Sequence, residues 1–190
     1  MRNFVLGVIV TIVVLLLVAW AIAQFGLIPT SADATPPQFE RKIAMHALDE
    51  AMDRDAPRVN SPVQPTDDNI IDGMKVYTMN CAVCHGTLDY KPSPLAHSMY
   101  PPPPQIVINP LDDPEWHLYY AVRTGVRYTG MPAWNKALED QDMWKVTGFL
   151  SRLDKLSPAV KEFWKKTYGV EPREGGSEHE GHGHEEHEHE

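Results

Sequence analysis

The two cysteines of this chain, Cys81 and Cys84, are its only ones, and they stand three positions apart. A disulfide framework is thereby excluded, and the pair has to be explained by something local. His85 follows directly, giving Cys81-Ala82-Val83-Cys84-His85. In the form C-x-x-C-H the two thiols add to the two vinyl groups on one edge of a porphyrin, and the adjacent imidazole reaches the iron from one face. A structural zinc site needs about four ligands; without a second cysteine pair, His97 and His117 would have to complete it. A thioredoxin-like redox pair belongs in a βαβ setting, which the pattern below lacks. The spacing therefore points to one covalent haem c, with Cys81 and Cys84 as its attachment sites and His85 as an axial ligand.

Haem attachment of this kind suits an exported domain, and the amino terminus supplies a means of export. Residues 4–28 are 25 positions without a charge, with only Thr11 and Gln24 distinctly polar. As a helix they span roughly 37 Å, against about 30 Å for the hydrocarbon core of a bilayer. Arg2 precedes the segment while Asp33 and Glu40 follow it, so the positive-inside preference puts Met1 in the cytoplasm and the rest on the outer, periplasmic side of the cytoplasmic membrane. A cleaved signal peptide is the rival, because Ala21-Ile22-Ala23 has the small-x-small form of a cleavage site. The apolar run exceeds the roughly 7–15 residues usual for signal peptides, and an uncleaved single-pass anchor is the expectation.

Hydrophobic periodicity divides the remainder. Residues 29–65 form a linker in which Phe39, Ile43, Ala44, Ala47, Leu48, Ala51 and Met52 recur at helical spacing behind Pro37. This predicts an amphipathic helix that serves as a strut on its own domain or as a docking surface. The core domain is expected over 66–169. Thr66 can cap a helix that carries Ile70, Ile71, Met74 and Tyr77 towards Cys81. Residues 86–109 show no period, and the four consecutive prolines 101–104 exclude helix interior and central strand. Asp113-Pro114 opens a second helix that stops at Gly125; a third starts near Glu139 and runs through Met143, Val146, Phe149, Leu150 and Leu153. Ser157-Pro158 opens a fourth, ending at Tyr168-Gly169. No period-two alternation occurs, so the fold class is all-α, with a centre that a buried macrocycle would fill.

An iron held by His85 needs a second axial partner if it is to pass electrons without binding small ligands. Met131, within Thr129-Gly130-Met131-Pro132-Ala133-Trp134, lies 46 residues beyond His85 on an inter-helix loop. A thioether there favours reduced iron and raises its potential. Met99, His97 and His117 are the alternatives for this position, and core filling is the ordinary fate of a methionine.

The stretch from about 67 to 156 resembles the class I cytochrome c family, especially the small membrane-anchored and oxidase-associated c-type domains of bacteria. Gly73 and Tyr77 stand eight and four residues before Cys81, like the small and aromatic residues of that family's first helix. The C-A-V-C-H motif follows, T-G-M-P-A-W resembles the family's methionine loop, and Met143-Trp144-Lys145-Val146-Thr147-Gly148-Phe149-Leu150 its last helix. The resemblance implies a class I cytochrome c fold around one haem, with a proline carbonyl accepting the His85 ring N–H. Pro92, Pro94 and Pro101 to Pro104 are the candidates for that carbonyl, the latter group better spaced. Arg123, Arg127, Tyr128 and Trp134 are candidate partners of the haem propionates.

The tail, residues 170–190, is of a different kind. His179, His182, His184, His187 and His189 alternate there with Glu and Gly, a composition unable to bury enough apolar surface to fold. It suggests accessory metal capture, or simply a solvated acidic segment. Residues 174–190 hold seven Glu and no Lys or Arg, so most of the net charge of −9 belongs to them. The rest is nearly balanced, which gives no reason to expect a nucleic-acid partner. The expected function is one-electron transfer: a membrane-tethered carrier, or a fixed haem subunit, taking electrons from a quinol-oxidising complex or dehydrogenase and passing them to a terminal oxidase or reductase. A haem-based sensor with an open iron and a metal-handling protein acting through its tail are the competing classes. A peroxidase-like enzyme has the least support, since no second haem motif or acid–base set is apparent.

Overall fold

The computed structural model describes residues 1–27, 30–32 and 36–173, and the five tail histidines lie outside them. The chain divides into two units, Met1–Thr35 and Pro36–Glu190. The first contains one helix, α1, Arg2–Phe25, closed by Gly26 in the left-handed conformation (φ 61°) with its N–H donated to Ile22 O. None of its residues is buried, and it is the one described helix long and apolar enough to cross a membrane.

The second unit begins with α2, Gln38–Asp55, and continues with α3, Asp67–Asn80, the single turn α4, Ala82–His85, and α5, Glu115–Thr124. It ends with α6, Asp140–Leu150, and α7, Pro158–Tyr168. Two short 3-10 turns, Pro94–Ser98 and Trp134–Lys136, lie in the connections, and no strand occurs among the described residues. The fold is all-α, as the periodicity predicts.

Local chemistry starts the helices where expected. Thr66 Oγ1 accepts the N–H of Asn69 at the head of α3, and Ser157 Oγ accepts that of Val160 at the head of α7, each satisfying a donor that the first turn leaves open. Pro114 precedes α5 and Glu139 precedes α6, with acidic side chains in both first turns facing the positive helix end.

The core is built on the crossing of α3 and α6. A Cβ added to Gly73 would lie 2.1 Å from Lys145 O and 2.6 Å from Lys145 C, so the two backbones touch at a point where only hydrogen fits. Around this contact Met74, Tyr77, Val146, Thr147 and Phe149 are fully enclosed. Tyr77 and Phe149 meet edge to face at 6.0 Å. Lys145 reaches back to Asp72 at 3.0 Å. α5 joins α6 through Tyr119 stacked on Trp144, with centroids 3.7 Å apart, and through Arg152 donating to Glu115 at 2.8 Å. α7 closes the far side: Trp164 is buried and its Nε1–H donates to Leu88 O at 3.1 Å.

The amphipathic helix of the linker forms, but its apolar pattern splits. Leu48, Ala51 and Met52 are half-buried, whereas Phe39 and Ile43 are 68% and 66% exposed. Periodicity predicts one apolar face, but the pattern drifts around the helix, so Leu48, Ala51 and Met52 face α5 while Phe39 and Ile43 turn to another side.

The glycines of the crossing yield paired expectations. Gly73→Ala, whose methyl must displace backbone, is expected to destabilise the domain by about 3 kcal/mol. A methyl at Gly148 would meet only ordinary contacts at 3.4 Å or more, so Gly148→Ala is expected to stabilise by roughly 0.5–1 kcal/mol through helix propensity. Urea unfolding of both variants measures the contrast.

Candidate haem site

Tyr77 sets the position of the C-x-x-C-H turn. Its buried hydroxyl is 3.0 Å from His85 O and 2.8 Å from Gly86 O. Burial holds this phenol protonated, far above its usual range, so it acts as a fixed donor. Cys81 ends α3, and the backbone then winds through α4, with His85 N donating to Cys81 O at 2.9 Å. Cys81, Cys84 and His85 are thereby brought onto one turn. Cys81 is buried and Cys84 half-buried, and both are free thiols here. Burial, with the neighbouring Cys84, pushes the Cys81 thiol up to about 12.

Residues 86–109 are held against this turn by side chains rather than by regular structure. Gln105 is the hub: its Oε1 accepts Ser93 N–H at 2.7 Å, and its Nε2 donates to Cys84 O and Pro103 O, both at 3.0 Å. Ser93, itself buried, donates its hydroxyl to Val83 O at 2.6 Å. Neither residue stands out in the sequence. The arrangement puts Pro104 O 2.8 Å from His85 Nδ1, so of the candidate prolines it is Pro104 that meets the imidazole. With Nδ1–H donated to this carbonyl, the proton is on Nδ1 and the Nε2 lone pair is free to bind a metal. Burial lowers the His85 pKa, and the bond to Pro104 opposes this more weakly; the neutral, ligating form of the ring is favoured.

Met131 lies on a loop braced by its own backbone. Val126 N–H donates to Met131 O at 3.2 Å, and Met131 N–H to Thr129 Oγ1 at 3.0 Å. Gly125, at φ +67°, leaves α5 so closely that a Cβ would stand 2.6 Å from Ala133 N and 2.8 Å from Met131 O. The Met131 side chain is partly buried against the same core cluster that contains Cys81 and Ala82.

The alternative ligands fall differently. His97 is exposed. His117 has Nδ1 2.7 Å from Asp113 Oδ1 and is committed to that carboxylate. Met99 packs on the methionine loop itself, since its Cε occupies the space a Gly130 side chain would need. Among the candidate propionate partners, Tyr128 is exposed and lies under the Arg127 guanidinium at 5.4 Å. Arg123 is exposed as well. The tail histidines fall outside the described residues, and among those described no group of three or more His, Cys, Asp or Glu side chains is placed to hold a metal ion.

Three features of these residues suit haem c. Two thiols share one turn, and an imidazole beside them has its second nitrogen free. Trp134 Nε1 is buried without any hydrogen-bond partner. Buried donors are nearly always satisfied, and a haem propionate is an acceptor of the right chemistry for an indole N–H next to the methionine loop. Haem would supply a one-electron iron couple, for which Cys81 and Cys84 would be the tethering thiols and His85 the oriented imidazole.

Trp134→Phe in the haem-loaded protein is expected to cost about 1–3 kcal/mol, as a bond to a charged acceptor is lost; an unchanged urea midpoint would mean that the indole has no such partner. Gln105→Ala strips three backbone groups of their partner and is expected to cost about 2–3 kcal/mol by the same measurement.

Residues 68–150 match the family model described as cytochrome C oxidase, cbb3-type, subunit III. No curated protein matches the chain. Among solved structures, a chain of the reducing HAO-like protein complex of Kuenenia stuttgartiensis is similar at 25% identity and a TM-score of 0.41, the match covering 50% of this chain and 48% of that one. The present chain thus spans about half the length of that relative. Residues 68–150, with the C-x-x-C-H turn inside them, form a class I c-type cytochrome domain.

Proposed function

We propose that this protein is a membrane-tethered, monohaem electron carrier whose iron is held by His85 and Met131. The observation that carries the reading is the His85 imidazole, fixed by Pro104 beside two thiols on a single turn. Such a turn supplies covalent attachment and a preset axial ligand together. A thioether from Met131 completes six-coordination, favours the ferrous state and leaves small ligands without a site. Electron transfer then needs little reorganisation, because both ligand loops are braced by hydrogen bonds within the protein.

Arg2–Phe25 is the single-pass anchor in this reading, with the haem domain on the outer face of the cytoplasmic membrane. Tethering keeps the carrier at high local concentration beside membrane-bound partners. The match to an oxidase subunit family supports a terminal oxidase as acceptor, either as a docking partner or as the complex in which this chain is a fixed haem subunit. A quinol-oxidising complex or a dehydrogenase would be the donor.

The test is the visible spectrum of the reduced, haem-loaded protein before and after carbon monoxide. A c-type spectrum that the gas leaves unchanged is expected. Met131→Ala is expected to open the iron, so that carbon monoxide now shifts the spectrum, while Met99→Ala leaves it unresponsive. A wild-type spectrum that shifts would favour the sensor reading instead, and a Met99 variant that shifts would transfer the ligand role to that residue.

A further inference from the structure

A cavity of about 480 Å³ lies between α2 and the methionine loop, with Leu48, Ala51 and Met52 on one side and Tyr120, Val126 and Met131 on the other. The three α2 residues are spaced i, i+3, i+4 and so share one face of the helix. They are its half-buried positions, whereas Phe39 and Ile43, turned well away from them around the helix, are exposed. We propose that α2 is a detachable cover on the Met131 side of the haem pocket, with Leu48, Ala51 and Met52 as the residues that shield the sixth-ligand position. This rests on the ligation by His85 and Met131 proposed above.

Two observations make the helix a cover rather than part of the core. First, α2 has no buried residue, unlike α3 and α6, which enclose the domain centre. Elements with little buried apolar surface open at low free energy. Second, its polar link to α5 is loose. Asp53 Oδ1 stands 3.7 Å from His117 Nε2, beyond hydrogen-bond distance, and that nitrogen is buried without a partner. His117 Nδ1 is already engaged by Asp113, and its ring lies against Trp116. The cavity wall sets these apolar side chains beside Asp55, Tyr120, Thr124 and Arg127, and with α2 closed it is Leu48, Ala51 and Met52 that restrict access to the Met131 thioether. An open α2 removes that barrier without disturbing the α3–α6 crossing.

The prediction concerns ligand access. Ferric, haem-loaded, full-length protein in detergent is titrated with imidazole, which competes with a thioether for iron; displacement is read from the loss of the ferric thioether–iron absorption. Leu48→Asp/Met52→Asp, which puts charge on the cavity face, is expected to bind imidazole at least tenfold more tightly than wild type. Met52→Ala, a milder change, is expected to give a smaller shift in the same direction. Phe39→Asp/Ile43→Asp, on the exposed face, is expected to stay within twofold. Equal affinities in all four proteins, each with an intact c-type spectrum, would overturn the cover while leaving the ligation standing. A wild type without thioether–iron absorption would overturn the ligation and the cover with it.

Discussion

The contact of α3 with α6 at Gly73 is the constraint on which the domain depends. Two helix backbones meet there with a carbonyl where a side chain would be, an approach that only a residue without a Cβ allows. This approach positions one side of the C-x-x-C-H turn. It buries Tyr77 against Phe149, and the buried Tyr77 hydroxyl then fixes the carbonyls at His85 and Gly86. The crossing lies one helical turn and more from the chemistry, yet it sets the angle at which the chain arrives at Cys81.

On the other side of the site, order comes from single side chains. Gln105 and Ser93 give residues 86–109 the hydrogen bonds that a helix or sheet would otherwise supply. The proline run, with its fixed backbone and few donors, needs such outside support and in return offers carbonyls free to accept, of which Pro104 O takes the imidazole. The methionine loop follows a different plan, bracing itself by short-range bonds among Val126, Thr129 and Met131 and by the tight exit from α5 at Gly125. One loop is stapled from a distance and the other is self-contained.

Much of this was legible in the sequence because the signals are local. Helix periodicity, Thr66 and Ser157 as caps, and the C-x-x-C-H spacing each depend on residues a few positions apart, and the resemblance of Gly73 and Tyr77 to a family pattern pointed to the crossing. Gln105 was not legible, since its partners are backbone carbonyls and amides up to 21 residues away, and backbone groups leave no mark on the sequence. Trp134 was one of four candidates beside the methionine loop; only its unsatisfied, buried Nε1 separates it from exposed Tyr128, Arg123 and Arg127. The split face of α2 was hidden for a further reason. The i, i+3, i+4 spacing holds from one turn to the next, but over four turns it drifts around the helix, and Phe39 and Ile43 leave the side that Leu48, Ala51 and Met52 present to α5.

Cys81 carries a consequence for the order of assembly. Its side chain is buried at the end of α3, under the turn that Tyr77 and Gln105 lock in place. A bulky macrocycle cannot approach a thiol so enclosed, and a thiol held protonated is a poor nucleophile. If Cys81 carries haem, as proposed, thioether formation belongs to a stage at which the turn is still open, before residues 86–109 have closed over it. In that reading the finished fold would preserve the attachment, and the incompletely folded chain would be the form in which it is made.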